Sequence, residues 1–302
     1  MKNMISLIMA LLLLFYAVLS VSAEENKQMV DVLLFCGQSN MAGRGETSEA
    51  WPEGAPEILE GAGWEYRAMS KEENKLFKIE EPFGVNENKR SGISEPGAKT
   101  GSMVTAFVNA YYQNTGVPVI AISASKGGSS ITQWQPKGNF LRDVFKRLSD
   151  CLTYLSEKTD FQVRHVYMVW CQGETDADEK MPLDEYREKL DAMLTAVLET
   201  KVEKLLMVRI GQANIPEDAH RYDGMIQLQT ELAQQDERVV MLSCLLASLR
   251  DQGCMKDAFH YYQAGYNLVG TDAGAHAAEY VNTSLEPSME DPFFGNTYEP
   301  NK

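Results

Sequence analysis

The chain has 302 residues, 28 of them basic and 43 acidic, for a formal charge of −15. That excess repels polyanions at long range, so nucleic acid is excluded as a natural partner and neutral or weakly charged substrates are favoured. Cys36, Cys151, Cys171, Cys244 and Cys254 are odd in number, so at least one is unpaired within a monomer, and the spacing of Cys244 and Cys254 makes them the plausible local disulfide.

At the N-terminus, Lys2 precedes an apolar run over 5–19, and Val21-Ser22-Ala23 then offers small residues for cleavage before Glu24. This pattern predicts a signal peptide over 1–23 and export to the periplasm or the exterior. The run is shorter than the roughly 20 residues a spanning helix needs, and no cysteine follows it to carry a lipid. No stable membrane insertion is therefore expected after cleavage, and 24–282 is expected to form one domain.

Five short apolar runs follow, at 30–36, 117–123, 163–170, 205–210 and 239–242, and each predicts a fully buried strand. Between them, helical spacing marks 102–114, 140–157, 183–199 and 225–235, with a last helix over 263–280. Strict alternation predicts an α/β fold, a three-layer α/β/α sandwich around a central, mainly parallel five-stranded sheet, because each crossover must pass over the sheet. Ligands bind such sheets beyond the carboxyl ends of the strands. A long insertion over about 44–100, with Trp51, Trp64, Tyr66 and Phe83 scattered through it, reads as a folded elaboration near the site. The acidic tail over 283–302 holds three prolines and reads as loosely docked or disordered.

The residues with chemical potential gather at the predicted strand ends. The first strand runs into Gly37-Gln38-Ser39-Asn40-Met41-Ala42-Gly43, which sets Ser39 as either a nucleophile or a helix cap. The second ends in Ser125-Lys126-Gly127-Gly128-Ser129-Ser130-Ile131, where Gly127 and Gly128 form a plain turn or aim a backbone N–H at a ligand. The third ends in Trp170-Cys171-Gln172-Gly173-Glu174-Thr175-Asp176, in which Gln172 is an N–H donor or a buried polar tie. Before the last helix, Asp257 stands three residues ahead of His260, close enough for a carboxylate to fix the imidazole tautomer and leave the other nitrogen free to take a proton. The other histidines are expected to lack such a partner in a comparable place, since His165 lies within a strand and His220 and His276 sit in a loop and a helix. No metal-binding motif such as His-Glu-x-x-His is present, so no cofactor is expected.

The blocks GQSNMAGRG, KGGSSITQW, WCQGETD and DAFHYYQAGY, in this order, resemble those of the SGNH hydrolases, and within them the branch of sialate O-acetylesterases and family-six acetylxylan esterases. The resemblance covers most of the mature chain. It implies a flavodoxin-like sheet, Ser39 as nucleophile, His260 oriented by Asp257 as general base, and an oxyanion hole built from Ser39, Gly128 and Gln172, with Gly127 as a substitute. Gln38, Asn40, Arg44, Trp134 and Glu174 are implied as substrate-contacting or supporting residues. Trp134 would stack on a sugar or pack in the core, and Arg44 would take a sialate carboxylate or pair with Glu174 or Asp176. Cys171 departs from the branch, whose members often carry histidine or an aromatic there. The implied partner is an acetylated carbohydrate, against the alternatives of a non-sugar acyl ester or a glycan-binding protein without turnover.

Overall fold

A computed structural model describes residues 27–300, so the expected signal segment lies outside the described residues. The five expected strands form as β1 (Gln28–Gly37), β4 (Val119–Ser125), β5 (Phe161–Cys171), β6 (Lys204–Val208) and β7 (Val239–Ser243). Two shorter strands from the insertion, β2 (Gly63–Tyr66) and β3 (Leu76–Lys78), extend the sheet to seven in the order β3-β2-β4-β1-β5-β6-β7. All neighbours pair in parallel except β2 with β3. The inner strands are apolar on both faces because helices cover both: β4 is buried along its whole length, and so is β7.

Eight α-helices occur among the described residues, and five of them are long. Of these, α2 (Val104–Thr115) and α8 (Gln263–Thr283) pack against each other and make one outer layer. The other layer holds α3 (Asn139–Lys158), α5 (Leu183–Leu198) and α6 (Asp223–Gln235). Leu141, Val144, Leu148, Cys151 and Leu155 recur at helical spacing on α3 and form its buried stripe. The short turns α1 (Ser39–Ala42), α4 (Glu174–Asp178) and α7 (Leu246–Leu249) follow β1, β5 and β7. Successive connections leave β1 toward β4 and then cross back to β5, so the order reverses at β1. The crevice at its carboxyl end is the expected binding position of an open α/β sheet.

Buried charge pins the insertion to the sheet. Arg147 of α3 donates to the carbonyls of Ser123 at 2.5 Å, Glu87 at 3.0 Å and Ile93 at 3.3 Å, and pairs with Asp143. Lys99 reaches Phe83 O at 3.0 Å and Ser123 Oγ at 2.8 Å, and burial lowers its pKa to about 8.

Two expectations are corrected here. The tail is docked rather than loose: β8 (Met289–Asp291) pairs with β9 (Asn296–Tyr298), and Asp291 meets the buried Arg209 in a two-pronged pair at 2.5 and 2.6 Å. Composition hid this, because one buried ion pair outweighs a polar, proline-bearing sequence. The cysteines are all buried free thiols, Cys244 and Cys254 included. Cys254 packs against Gly265 at the start of α8, whereas Cys244 sits at the end of β7 near Arg209 and Asp291. Among the described residues no helix is long and apolar enough to cross a membrane.

Replacing Asp291 with Ala strands the Arg209 charge in the interior. The expected cost is about 3–5 kcal/mol, read as a lowered midpoint in urea unfolding; a midpoint equal to that of the unchanged protein would show that the tail is not anchored through this pair.

Candidate active site

At the carboxyl end of β1 the chain must turn sharply within touching distance of β5. Gly37 has φ 132°, and a Cβ there would collide with the carbonyl oxygen of Cys171. Only glycine fits both the backbone and the space. Gln38 N–H donates to that same Cys171 carbonyl at 2.9 Å, and Lys126 N–H donates to Gly37 O at 2.8 Å, so the loops after β1, β4 and β5 leave from one point.

These loops enclose a cavity of about 240 Å³ whose walls include Ser39, Arg44, Gly127, Gly128, Glu174 and His260. Ser39 opens the single turn α1, so its N–H is one of the orphan donors of a helix start. Gly128 has φ 63°, with open space where a Cβ would stand, and among the described residues its N–H has no partner. Two backbone donors are therefore unspent in the cavity wall.

Across the cavity, His260 Nδ1 lies 3.0 and 3.1 Å from the two carboxylate oxygens of Asp257. Asp257 Oδ1 also accepts the N–H groups of Phe259 and His260, both at 2.8 Å. Burial pushes the Asp257 carboxyl up, but these hydrogen bonds outweigh it and hold the group below the ordinary aspartate range. An ionised Asp257 only accepts, so Nδ1 carries the ring proton and Nε2 presents a lone pair. The loop is set by Lys256 N–H to His260 O at 2.9 Å and by Asn214 N–H to Ala258 O at 2.8 Å. Among the described residues no hydrogen bond joins Ser39 Oγ to His260.

The remaining histidines also meet carboxylates, but in other places: His165 with Glu203, His220 with Asp223 and His276 with Asp272. His220 even has the same three-residue spacing. Position, not pairing, distinguishes His260, which shares a cavity with Ser39.

Other expected site residues stand behind the wall. Gln172 is fully buried and does not line the cavity. Its amide N–H groups are spent on Ser129 O at 3.0 Å and on the Asp176 carboxylate, while its Oε1 accepts from Tyr186 at 3.1 Å. This corrects its expected place in the oxyanion hole: it is a tie between loops. Trp134 is likewise buried, edge-on to Trp170, with its indole N–H on Ser129 Oγ at 2.9 Å, so it packs and does not face a sugar. Gln38 Oε1 accepts the N–H groups of Gly173 at 3.3 Å and Thr175 at 3.2 Å, satisfying the start of α4. Arg44 pairs with neither Glu174 nor Asp176 but with Glu95 of the insertion, which also holds Lys126 at 2.6 Å and Gly127 N–H at 3.0 Å. Glu95 had no signal in the sequence, since it lies in irregular chain 51 residues beyond Arg44. Asn40 and Glu174 meet at 2.6 Å.

Residues 29–279 match the family described as carbohydrate esterase, sialic acid-specific acetylesterase. The chain belongs to this family. No curated protein matches the sequence significantly. Among solved structures, a protein from Arabidopsis thaliana is similar over 86% of this chain and 100% of its own, with 18% identity and a TM-score of 0.61. NanS is similar over 86% of this chain and 99% of its own, with 12% identity and a TM-score of 0.50. At those identities the likeness is one of fold. Family membership makes the chain an acetylesterase-type hydrolase.

Two glycines of this acetylesterase-family site should respond differently to alanine. Gly128→Ala meets open space and is expected to cost only the left-handed backbone penalty, about 1–2 kcal/mol. Gly37→Ala must also push β1 away from β5 and is expected to cost more and to lower the yield of folded protein. Thermal unfolding of both variants checks this, and equal small losses would contradict the close approach.

Proposed function

We propose that the chain is a carbohydrate O-acetylesterase that works by acyl transfer through Ser39. The observation carrying this reading is an imidazole, its Nδ1 fixed by the Asp257 carboxylate, in one small cavity with an unengaged serine hydroxyl. Ser39 Oγ attacks the acetyl carbonyl carbon while its proton passes to His260 Nε2. The carbonyl oxygen becomes an oxyanion, held by the N–H groups of Ser39 and Gly128. Collapse of the tetrahedral species breaks the bond to the sugar oxygen, which takes the proton from His260. Water, deprotonated by His260, then attacks the acetyl-serine, and acetate leaves as Ser39 Oγ regains its proton.

A cavity of about 240 Å³ suits an acetyl group better than a long acyl chain. Glu95 already occupies Arg44, the guanidinium that a sialate carboxylate would need, which favours a neutral acetylated sugar of the xylan type over sialate. The leader expected over 1–23 supports a reaction outside the cytoplasm.

Ser39→Ala is expected to lower acetate release from an acetylated glycan on the order of a thousandfold or more without loss of fold. Incubation with acetylated xylan and with O-acetylated sialic acid, measuring free acetate from each, checks both the chemistry and the substrate. Release that persists without Ser39 would remove the reading. Activity should also decline toward acid pH, because an imidazolium at His260 cannot accept the serine proton; a flat rate profile there would require another base.

A further inference from the structure

Asn40 follows Ser39 directly, and its side chain touches three separate parts of the site. Its Nδ2 donates to Glu174 Oε1 at 2.6 Å and to the Phe259 carbonyl at 3.3 Å, and its Oδ1 accepts from Tyr266 OH at 2.7 Å. One amide thus links the neighbour of the serine to the neighbour of His260. The third party, Glu174, is held in an unusual way. Its carboxyl is buried in the cavity wall, has no ion pair among the described residues, and leaves Oε2 without a hydrogen-bond partner. Burying a carboxylate without a cation is costly, and a neutral acceptor could hold Asn40 for less. A simple tie therefore does not account for an acid at this place.

We propose that Glu174 is a positioning residue: acting through the Asn40 amide, it holds the serine turn and the histidine loop in the arrangement that acyl transfer requires. The inference rests on the esterase reading above. A bond from Asn40 to an ionised carboxylate is roughly twice as strong as one to a neutral acid, so protonation of Glu174 loosens the clamp. Burial is the main influence on Glu174 and pushes its pKa up to about 7; the Asn40 bond opposes this, and Asp178 and Asp176 on its own helix add to the rise. The groups that other elements bring near it are the Cys171 thiol and the phenols of Tyr186, Tyr222, Tyr261 and Tyr266, with Arg44 and His260 lining the same cavity. The clamp is therefore strong above pH 7 and weak below it.

The test is the pH dependence of kcat/KM on an acetyl ester for the full-length protein and for Glu174→Gln, a permanently neutral acceptor. Unchanged protein should show two ionisations on the acid side, one near pH 7 from Glu174 and one from His260. Glu174→Gln should show one, with kcat lowered roughly tenfold and KM within about twofold, the mark of lost alignment rather than lost binding. A single ionisation in unchanged protein, or two in Glu174→Gln, overturns the proposal. Should Glu174→Gln fail to fold, infrared titration of the unchanged protein decides instead: a buried carboxyl titrating in step with the rate supports the clamp, and a rate that ignores it overturns the clamp. Ser39→Ala in parallel separates the two readings, since a Ser39-dependent rate with one ionisation sinks this inference alone.

Discussion

The contact between Gly37 and the Cys171 carbonyl fixes where the loops carrying Ser39, Gly128 and Glu174 begin. Because β1 and β5 converge there without a side chain between them, the Gln38 N–H closes on the same carbonyl and Ser39 is delivered to the rim one residue later. The loop from β4 is tied to the same glycine by Lys126. Three loops that leave from one point can present a hydroxyl and two backbone donors within one small cavity, and no long side chain needs to reach across. Preorganisation of this kind is what lets backbone N–H groups stabilise developing charge without moving.

Behind that rim lies a layer of buried polar side chains whose business is mutual. Asp176 accepts from Ser130 Oγ at 2.6 Å, from Ile131 N–H at 3.1 Å and from Gln172, while Gln229 donates to the Gln172 carbonyl at 2.8 Å. Burial pushes the Asp176 carboxyl up, and the bonds from Ser130, Gln172 and Ile131 work against that rise. Networks of this sort rigidify when fully satisfied and are costly when broken. The Gly127–Gly128 turn is held from one side by this layer and from the other by Glu95, so the donor at Gly128 is positioned by residues that never touch the cavity themselves.

The strands were legible because a covered parallel sheet forces its inner strands to be apolar on both faces, and the runs beginning near Val30, Val119 and Val239 carry that mark plainly. The Asp257–His260 pair was legible because three residues are enough for one turn. Strands β2 and β3 were not, since Gly63–Tyr66 and Leu76–Lys78 are too short and mixed for periodicity to register, and they become strands only by pairing with β4 and with each other. Gln172 defeated the sequence for a different reason. A strand-end position tells which loop a side chain belongs to, but whether it faces the cavity or the interior depends on its partners, here Asp176 of the same block and Ser129 and Tyr186 from two other segments. The same holds for His220, whose local spacing equals that of His260 but which does not line the cavity.

The insertion adds two strands to this sheet and brings Glu95 to Arg44 and Lys126. Arg147 and Lys99 anchor it through backbone carbonyls and Ser123, contacts that keep a long irregular segment from behaving as a free lid. Having been fixed, it carries Glu95 to the rim, where one carboxylate answers both Arg44 and Lys126 and accepts the Gly127 N–H. An anionic sugar arriving there would have to compete with a carboxylate that is already buried, already paired and preorganised, whereas a neutral sugar displaces only water. The loop after β1 carries Ser39 and the insertion carries Glu95, so on the proposed esterase reading a segment that contributes no reacting group would bear on which sugar is accepted.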